Sequence, residues 1–255
     1  MSLVEVFVAG VQKGGTTSLF AHLATHPEMA APGRKELHFF DDEAIDWTRP
    51  DYEPLHREFP AGTASRIRFE ATPIYTFWPS SIARIRDYNP DARLIVTFRD
   101  PIERAFSHWA MEYARGWDPL LFADAIRSGR DRLRAESRDS RDWRVFSYVE
   151  RGFYAAQVER LLRHFDRRQL LFLRSRDLLE RSSSALAEVT DFLGVSRFGE
   201  VESLRHNSGA HVPSVLTEAD IDHLRAIYRD DVAAFAALTG LDISDWLTRK
   251  ERPGT

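Results

Sequence analysis

The stretch VFVAGVQKGGTTSLFAHL, Val6 to Leu23, decides how the chain is read. An apolar run that reads as a buried strand meets a glycine-rich turn, and a helix with Leu19, Phe20 and Leu23 on one face follows. Strand, glycine loop and helix are the setting of a phosphate-binding loop, whose nucleotide-triphosphate form is G-x-x-x-x-G-K-[ST]. Gly10 and Gly15 take the two glycine positions and Thr17 the hydroxyl position. Thr16 stands where the lysine belongs, and the lysine sits inside the loop as Lys13. Backbone amides of such a loop, with the helix N-terminus behind them, bind an anion, and Thr16 and Thr17 add hydroxyls. The alternative is a tight turn that uses Gly14 and Gly15 only for their dihedrals, which leaves Lys13 without a reason.

Lys13, Lys35 and Lys250 are the only lysines in 255 residues, so the loop lysine is no sample of a lysine-rich surface. A net charge of −4 argues against bulk binding to nucleic acid. With no cysteine, disulfides, zinc thiolates and cysteine nucleophiles are excluded. No apolar run reaches membrane-spanning length, and no signal-like segment opens the chain, so a cytoplasmic location is the expectation.

Further along, the sequence predicts an extended piece around Leu37 to Phe40, a strand over Arg66 to Ala71 and a helix over Pro79 to Tyr88. RLIVTF, Arg93 to Phe98, reads as a buried strand, and Pro101 opens a helix running to about Ala114. Ser128 to Arg144 is dense in both signs of charge and reads as a solvated helix or a mobile loop. Tyr154 to Phe165 has helical spacing, Leu170 to Leu173 is another strand, Ser182 to Leu193 is a helix ended by Gly194, and a last helix or pair of helices spans Thr217 to Leu238. Strands alternating with helices predict one α/β domain over residues 1–255, with a parallel sheet covered on both faces. Ligands in such sheets bind beyond the carboxyl ends of the strands.

Arg99 ends the RLIVTF strand where a triphosphatase needs an aspartate for magnesium. Its planar fork suits phosphate oxygens, and Ser107 lies two helical turns on. The pair reads as a clamp for a second phosphate, the alternative being an ion pair of Arg99 with Asp100 or Glu103.

GVQKGGTTS, KELHFFD, FEATPIY and FRDPIERAFSHW together resemble the sulfotransferases that use 3′-phosphoadenosine 5′-phosphosulfate (PAPS), and most closely the branch of heparan-sulfate N- and 3-O-sulfotransferases and their bacterial small-molecule relatives. The resemblance implies a three-layer, P-loop-like α/β sulfotransferase fold, with PAPS as donor, adenosine 3′,5′-bisphosphate (PAP) as product and no metal. It implies that Lys13 neutralises the leaving oxygen, that Gly14, Gly15, Thr16, Thr17 and Ser18 hold the 5′-phosphate, and that Arg99 and Ser107 hold the 3′-phosphate. Glu36 stands where the family places its base, with His38 assisting or taking that role. Glu36 paired with Lys35 or Arg34, and His38 as a structural histidine, are the alternatives. Tyr154 matches an aromatic near the donor or acceptor, or else is core. RHNSGAHVPS matches the loop that closes over the donor, offering Ser208 and Gly209, but lacks its lysines and its flanking cysteines. Ala71 stands where relatives that act on acidic sugars often carry lysine. The acceptor is then expected to be a hydroxyl, with an amine second, on a small molecule, natural product or glycolipid. A P-loop kinase or triphosphatase and an inactive nucleotide-binding relative are the rival readings. Oligomeric state is not legible.

Overall fold

The computed structural model describes residues 2–62, 66–134, 136–199 and 212–249. Five parallel strands, β1 (Val6–Gly10), β2 (Met29–Ala30), β3 (Ile67–Ala71), β4 (Arg93–Phe98) and β5 (Leu170–Arg174), form one sheet in the order β2-β3-β1-β4-β5. Between and after them run the helices α1 (Thr16–Thr25), α2 (Glu53–His56), α3 (Ser81–Tyr88), α4 (Pro101–Ala114), α5 (Phe122–Ala125), α6 (Arg141–Phe146), α7 (Tyr154–His164), α8 (Ser175–Glu180), α9 (Ser182–Leu193) and α10 (Glu218–Thr239). The chain divides into two compact units, residues 1–98 with 160–206, and residues 99–159 with 207–255.

The first unit holds the sheet. All five residues of β1 are buried, as expected of a central parallel strand covered on both sides. Alternation along the strand sends Val6 and Val8 to one face, where they join Leu19 and Leu23 of α1, Leu178 of α8 and Leu186 and Val189 of α9. Phe7 takes the other face and meets Phe40 and Tyr88 edge-on at 5.5 and 6.5 Å. Each such fully buried side chain contributes about 1.5–3 kcal/mol relative to exposure. The helices flank a single parallel sheet, as the strand–helix alternation predicts.

In the second unit, α4 begins at Pro101 behind Asp100, whose carboxylate accepts the amides of Ile102 at 2.8 Å and Glu103 at 3.4 Å. α10 opens with a capping box between Thr217 and Asp220 and stops at Gly240, which is left-handed at φ 71°. Phe235 of α10 packs on Tyr154 at 5.5 Å and stacks on Trp246 at 5.3 Å.

Two expectations change. Leu37 to Phe40 form no strand, because Glu36 and His38 are left-handed at φ 62° and 56°. The charged stretch over Ser128 to Arg144 contains a 3₁₀ turn, Ser128–Leu133, and the start of α6. Arg132 leaves solvent there to bind Asp118 with both guanidinium nitrogens, at 3.0 Å each.

The loop between β1 and α1 is fastened to the end of β4. Val11 N–H donates to the Thr97 carbonyl at 2.9 Å, and the Thr97 hydroxyl donates to the Gly10 carbonyl at 3.2 Å. A Cβ on Gly14 would lie 2.3 Å from the Thr97 carbonyl oxygen, so backbone meets backbone there and only glycine fits. Gly14→Ala is therefore expected to cost about 1–3 kcal/mol, read as a fall in Cm at unchanged m-value in urea; a wild-type Cm would show that the loop yields freely.

Candidate active site

The loop reaches its helix through Gly15 at φ 91°, and no side chain caps α1. A helix start without a cap keeps amides and partial positive charge available for an anion. Thr16 and Ser18 are buried, Thr17 is exposed, and Lys13 and Gly15 are half-buried. Lys13 itself is left-handed at φ 70°. Non-glycine residues avoid that region, and those held there concentrate at functional sites. Among the described non-glycine residues only Lys13, Glu36, His38, Leu247 and Thr248 adopt it, so three of the five are the residues for which the sequence predicts catalytic roles.

The Glu36–His38 segment is held by the C-terminal end of β3. Glu36 N–H donates to the Ala71 carbonyl at 3.1 Å, Leu37 N–H to Glu70 Oε1 at 3.3 Å, and His38 N–H to Thr72 Oγ1 at 3.4 Å. The Thr72 hydroxyl in turn donates to Glu70 Oε1. Three successive amides are thereby satisfied by residues 70–72, which is the structural content of the Glu-x-Thr-Pro motif in FEATPIY.

The side chains form a chain of charge. Asp41, fully buried, receives His38 Nδ1 at 3.0 Å, and His38 Nε2 lies 3.7 Å from Glu36 Oε2. The ammonium of Lys35 donates to Glu36 Oε1, while Arg34 pairs with Glu58 at 3.4 Å. Glu36 thus takes the Lys35 partner and is shared with His38. Hydrogen bonding to Asp41, with Glu36 adding to it, pushes the His38 imidazole up to about 9. Burial pulls Glu36 upward, but the neighbouring His38 imidazole and the Lys35 ammonium outweigh it and hold the carboxylate at about 2. At neutral pH the imidazole already carries its second proton, so the group with lone pairs to offer is Glu36.

In the second unit, Arg99 donates Nε to Glu103 Oε2 at 3.0 Å, with Nη2 also 3.0 Å from that oxygen. Glu103 and Ser107 are both half-exposed and one turn apart on α4, so Ser107 continues the stripe on which Arg99 is held. Tyr154 is fully buried and donates its hydroxyl to the Arg99 carbonyl at 2.9 Å. Ser208 and Gly209 lie outside the described residues.

Sequence reasoning missed Asp41 and the anchoring roles of Glu70 and Thr72. A signal for Asp41 was present as His-x-x-Asp in KELHFFD, but an extended reading points the two side chains to opposite faces.

A family profile described as "Sulfotransferase domain" matches residues 4–215. The human heparan sulfate glucosamine 3-O-sulfotransferases 3B1 and 3A1 are each 31% identical over 94% of this chain. The chain spans 64% and 62% of their lengths. Among solved structures, a sulfotransferase from Alicyclobacillus acidocaldarius is 26% identical with a TM-score of 0.79, covering 96% of this chain and 99% of that one. The sulfotransferase domain from the curacin biosynthetic pathway, 15% identical with a TM-score of 0.57 over 89% of this chain and 98% of that one, shares the fold.

The His38 assignment is open to direct titration. Carbon NMR of the imidazole is expected to place its midpoint near 9, and Asp41→Asn to return it toward 6.5. Because the folded-state value is raised, the ionic contacts of His38 stabilise the segment fully below pH 6.5 and are lost as pH rises through about 9. An ordinary midpoint in the wild-type protein would dismiss the charge chain.

Proposed function

The chain belongs to the sulfotransferase family, and on that premise we propose that it is an enzyme that moves a sulfuryl group from PAPS to a hydroxyl, with an amine second, of a small-molecule, natural-product or glycolipid acceptor. The observation that carries the reading is the left-handed backbone at Lys13, Glu36 and His38, a cost kept at the three positions that the transfer needs.

The acceptor oxygen forms a bond to sulfur as the bond from sulfur to the bridging phosphate oxygen breaks. The electron pair of the broken bond goes to that oxygen and leaves with PAP. Lys13 neutralises the charge as it develops, the part preorganised cations play in such transfers. Glu36 takes the acceptor proton, with His38 holding the carboxylate in place and Asp41 holding His38. Gly14, Gly15, Thr16, Thr17 and Ser18 are assigned to the 5′-phosphate, and Arg99 and Ser107 to the 3′-phosphate, with Glu103 sharing or yielding Arg99 as the phosphate arrives. Tyr154 sets the Arg99 carbonyl. Independence from metal belongs to the same proposal, since Lys13 supplies the charge that magnesium supplies to a P-loop kinase.

Among the described residues no helix is long and apolar enough to cross a membrane. A cytoplasmic setting belongs to the same proposal, and the lack of cysteine in the sequence is compatible with it.

Sulfate transfer from labelled PAPS provides the test. Lys13→Ala is expected to lower kcat about 10²–10³-fold, and Glu36→Gln about 10²–10⁴-fold. Near-normal turnover in Glu36→Gln together with collapse in His38→Gln would transfer the base role to His38. Calorimetry with adenosine 5′-phosphate in place of PAP is expected to show at least a tenfold loss of affinity, about 1.4 kcal/mol. Equal affinities, or turnover abolished by a chelator, would favour the triphosphatase or kinase reading instead.

A further inference from the structure

Of the five non-glycine residues with left-handed backbone, Leu247 and Thr248 have no place in the transfer described above. They are adjacent, at φ 61° and 46°, and a bulky or β-branched residue tolerates that region least. Such a backbone persists only where its surroundings over-determine it. Three contacts do so here, all within the second unit. The Trp246 ring is buried, stacked on Phe235 at 5.3 Å and edge-on to Tyr154 at 6.0 Å. The Leu247 carbonyl accepts Arg225 Nη2 at 3.4 Å. The Thr248 amide donates to Asp100 Oδ2 at 2.6 Å.

Two of these contacts converge on one peptide, that between Arg99 and Asp100. Its carbonyl, belonging to Arg99, accepts the Tyr154 hydroxyl at 2.9 Å, and Tyr154 rests on Trp246. The Asp100 carboxylate is buried and engaged on both oxygens. Oδ1 accepts the amides of Ile102 and Glu103 at the start of α4, and Oδ2 accepts Thr248. The main chain that carries Arg99 is therefore fixed, while its guanidinium stays half-buried on Glu103. Without the Thr248 amide, Asp100 Oδ2 would be a carboxylate oxygen one residue from that guanidinium, the pairing that arginine favours. The Thr248 amide thus anchors the peptide and keeps the adjacent carboxylate from competing with an arriving phosphate. The turn lies beyond residue 215, where the family profile ends.

We propose that Trp246 and Thr248 are positioning residues for the 3′-phosphate: without touching the donor they aim Arg99, and so confer part of the preference for a nucleotide that carries that phosphate. The proposal rests on Arg99 as the 3′-phosphate ligand of the transfer described above. Trp246 acts through Tyr154 and the Arg99 carbonyl, and Thr248 through Asp100.

PAP and adenosine 5′-phosphate differ only in the 3′-phosphate, so paired calorimetric titrations of the full chain with the two nucleotides isolate it. Trp246→Ala empties the stack, and Thr248→Pro removes the amide and forbids the positive φ. Each is expected to weaken PAP about tenfold, the loss of one well-aimed charge-assisted hydrogen bond, while adenosine 5′-phosphate stays within about twofold of wild type. Trp246→Phe keeps an aromatic ring in the stack and is expected to keep the wild-type ratio of the two affinities. A variant that is partly unfolded lowers the calorimetric stoichiometry for both nucleotides alike, so the ratio of dissociation constants is still read from the folded fraction. A general structural role would weaken both nucleotides equally. That result, or an unchanged ratio in either Trp246→Ala or Thr248→Pro, would overturn the proposal while leaving Arg99 its phosphate. Equal affinities in the wild-type protein would instead strike Arg99 as the 3′-phosphate ligand, and the proposal with it.

Discussion

Three consecutive amides, those of Glu36, Leu37 and His38, are accepted by one short piece of chain at the end of β3. A segment that alternates between left-handed and ordinary backbone cannot pair as a strand and would leave those amides unsatisfied. An unsatisfied buried amide costs about 1–3 kcal/mol, comparable to the strain of a non-glycine residue at positive φ. The Ala71 carbonyl, Glu70 and Thr72 remove the first cost and thereby make the second tolerable. Because β3 is hydrogen-bonded along β1, the same strand that launches the glycine loop also fixes the register of Glu36. Lys13 and Glu36 are thus referred to one sheet, although they lie 23 positions apart in the chain.

In the transfer proposed above, the charge chain that results would direct the acceptor proton by position more than by basicity. A carboxylate held at about 2 is a weak base toward an ordinary alcohol. The acceptor proton, however, becomes acidic only as its oxygen commits to sulfur, and the requirement then is a lone pair in the right place at that moment. Glu36 meets it because His38 and Lys35 hold the carboxylate ionised. His38 does not, since Asp41 keeps its imidazole charged. Raising the base strength of Glu36 by loosening His38 would also loosen its aim.

The glycine loop was legible because every element of it is local: strand, turn glycines and helix fall within eighteen residues, and the spacing alone places Lys13 inside the turn. RLIVTF, the helix from Pro101 and the Gly194 stop were legible for the same reason. The relay through Asp41 was not, because it depends on positive φ at two non-glycine residues, which no residue-type preference announces. Nor was β2, whose two residues are too short to carry a period. Glu70 reads in sequence as a polar interruption of a strand. Its purpose appears only when the amide of residue 37 arrives from elsewhere in the chain.

Glu70 also settles how two buried carboxyls coexist behind the site. Asp41 and Glu70 are both fully buried, and the charge of Asp41 raises the cost of ionising Glu70. Asp41 has the His38 imidazole to answer its charge. Glu70 accepts from Leu37 and Thr72 on one oxygen, and its Oε2 makes no hydrogen bond among the described residues. Burial, with Asp41 adding to it, pushes Glu70 up to about 7. Asp41 serves His38, while Glu70, pushed up to about 7, serves the backbone. A protonated Glu70 still accepts the Leu37 amide on Oε1. The geometry of the Glu36–His38 segment therefore survives the loss of that charge, and the field at His38 is left to Asp41 and Glu36.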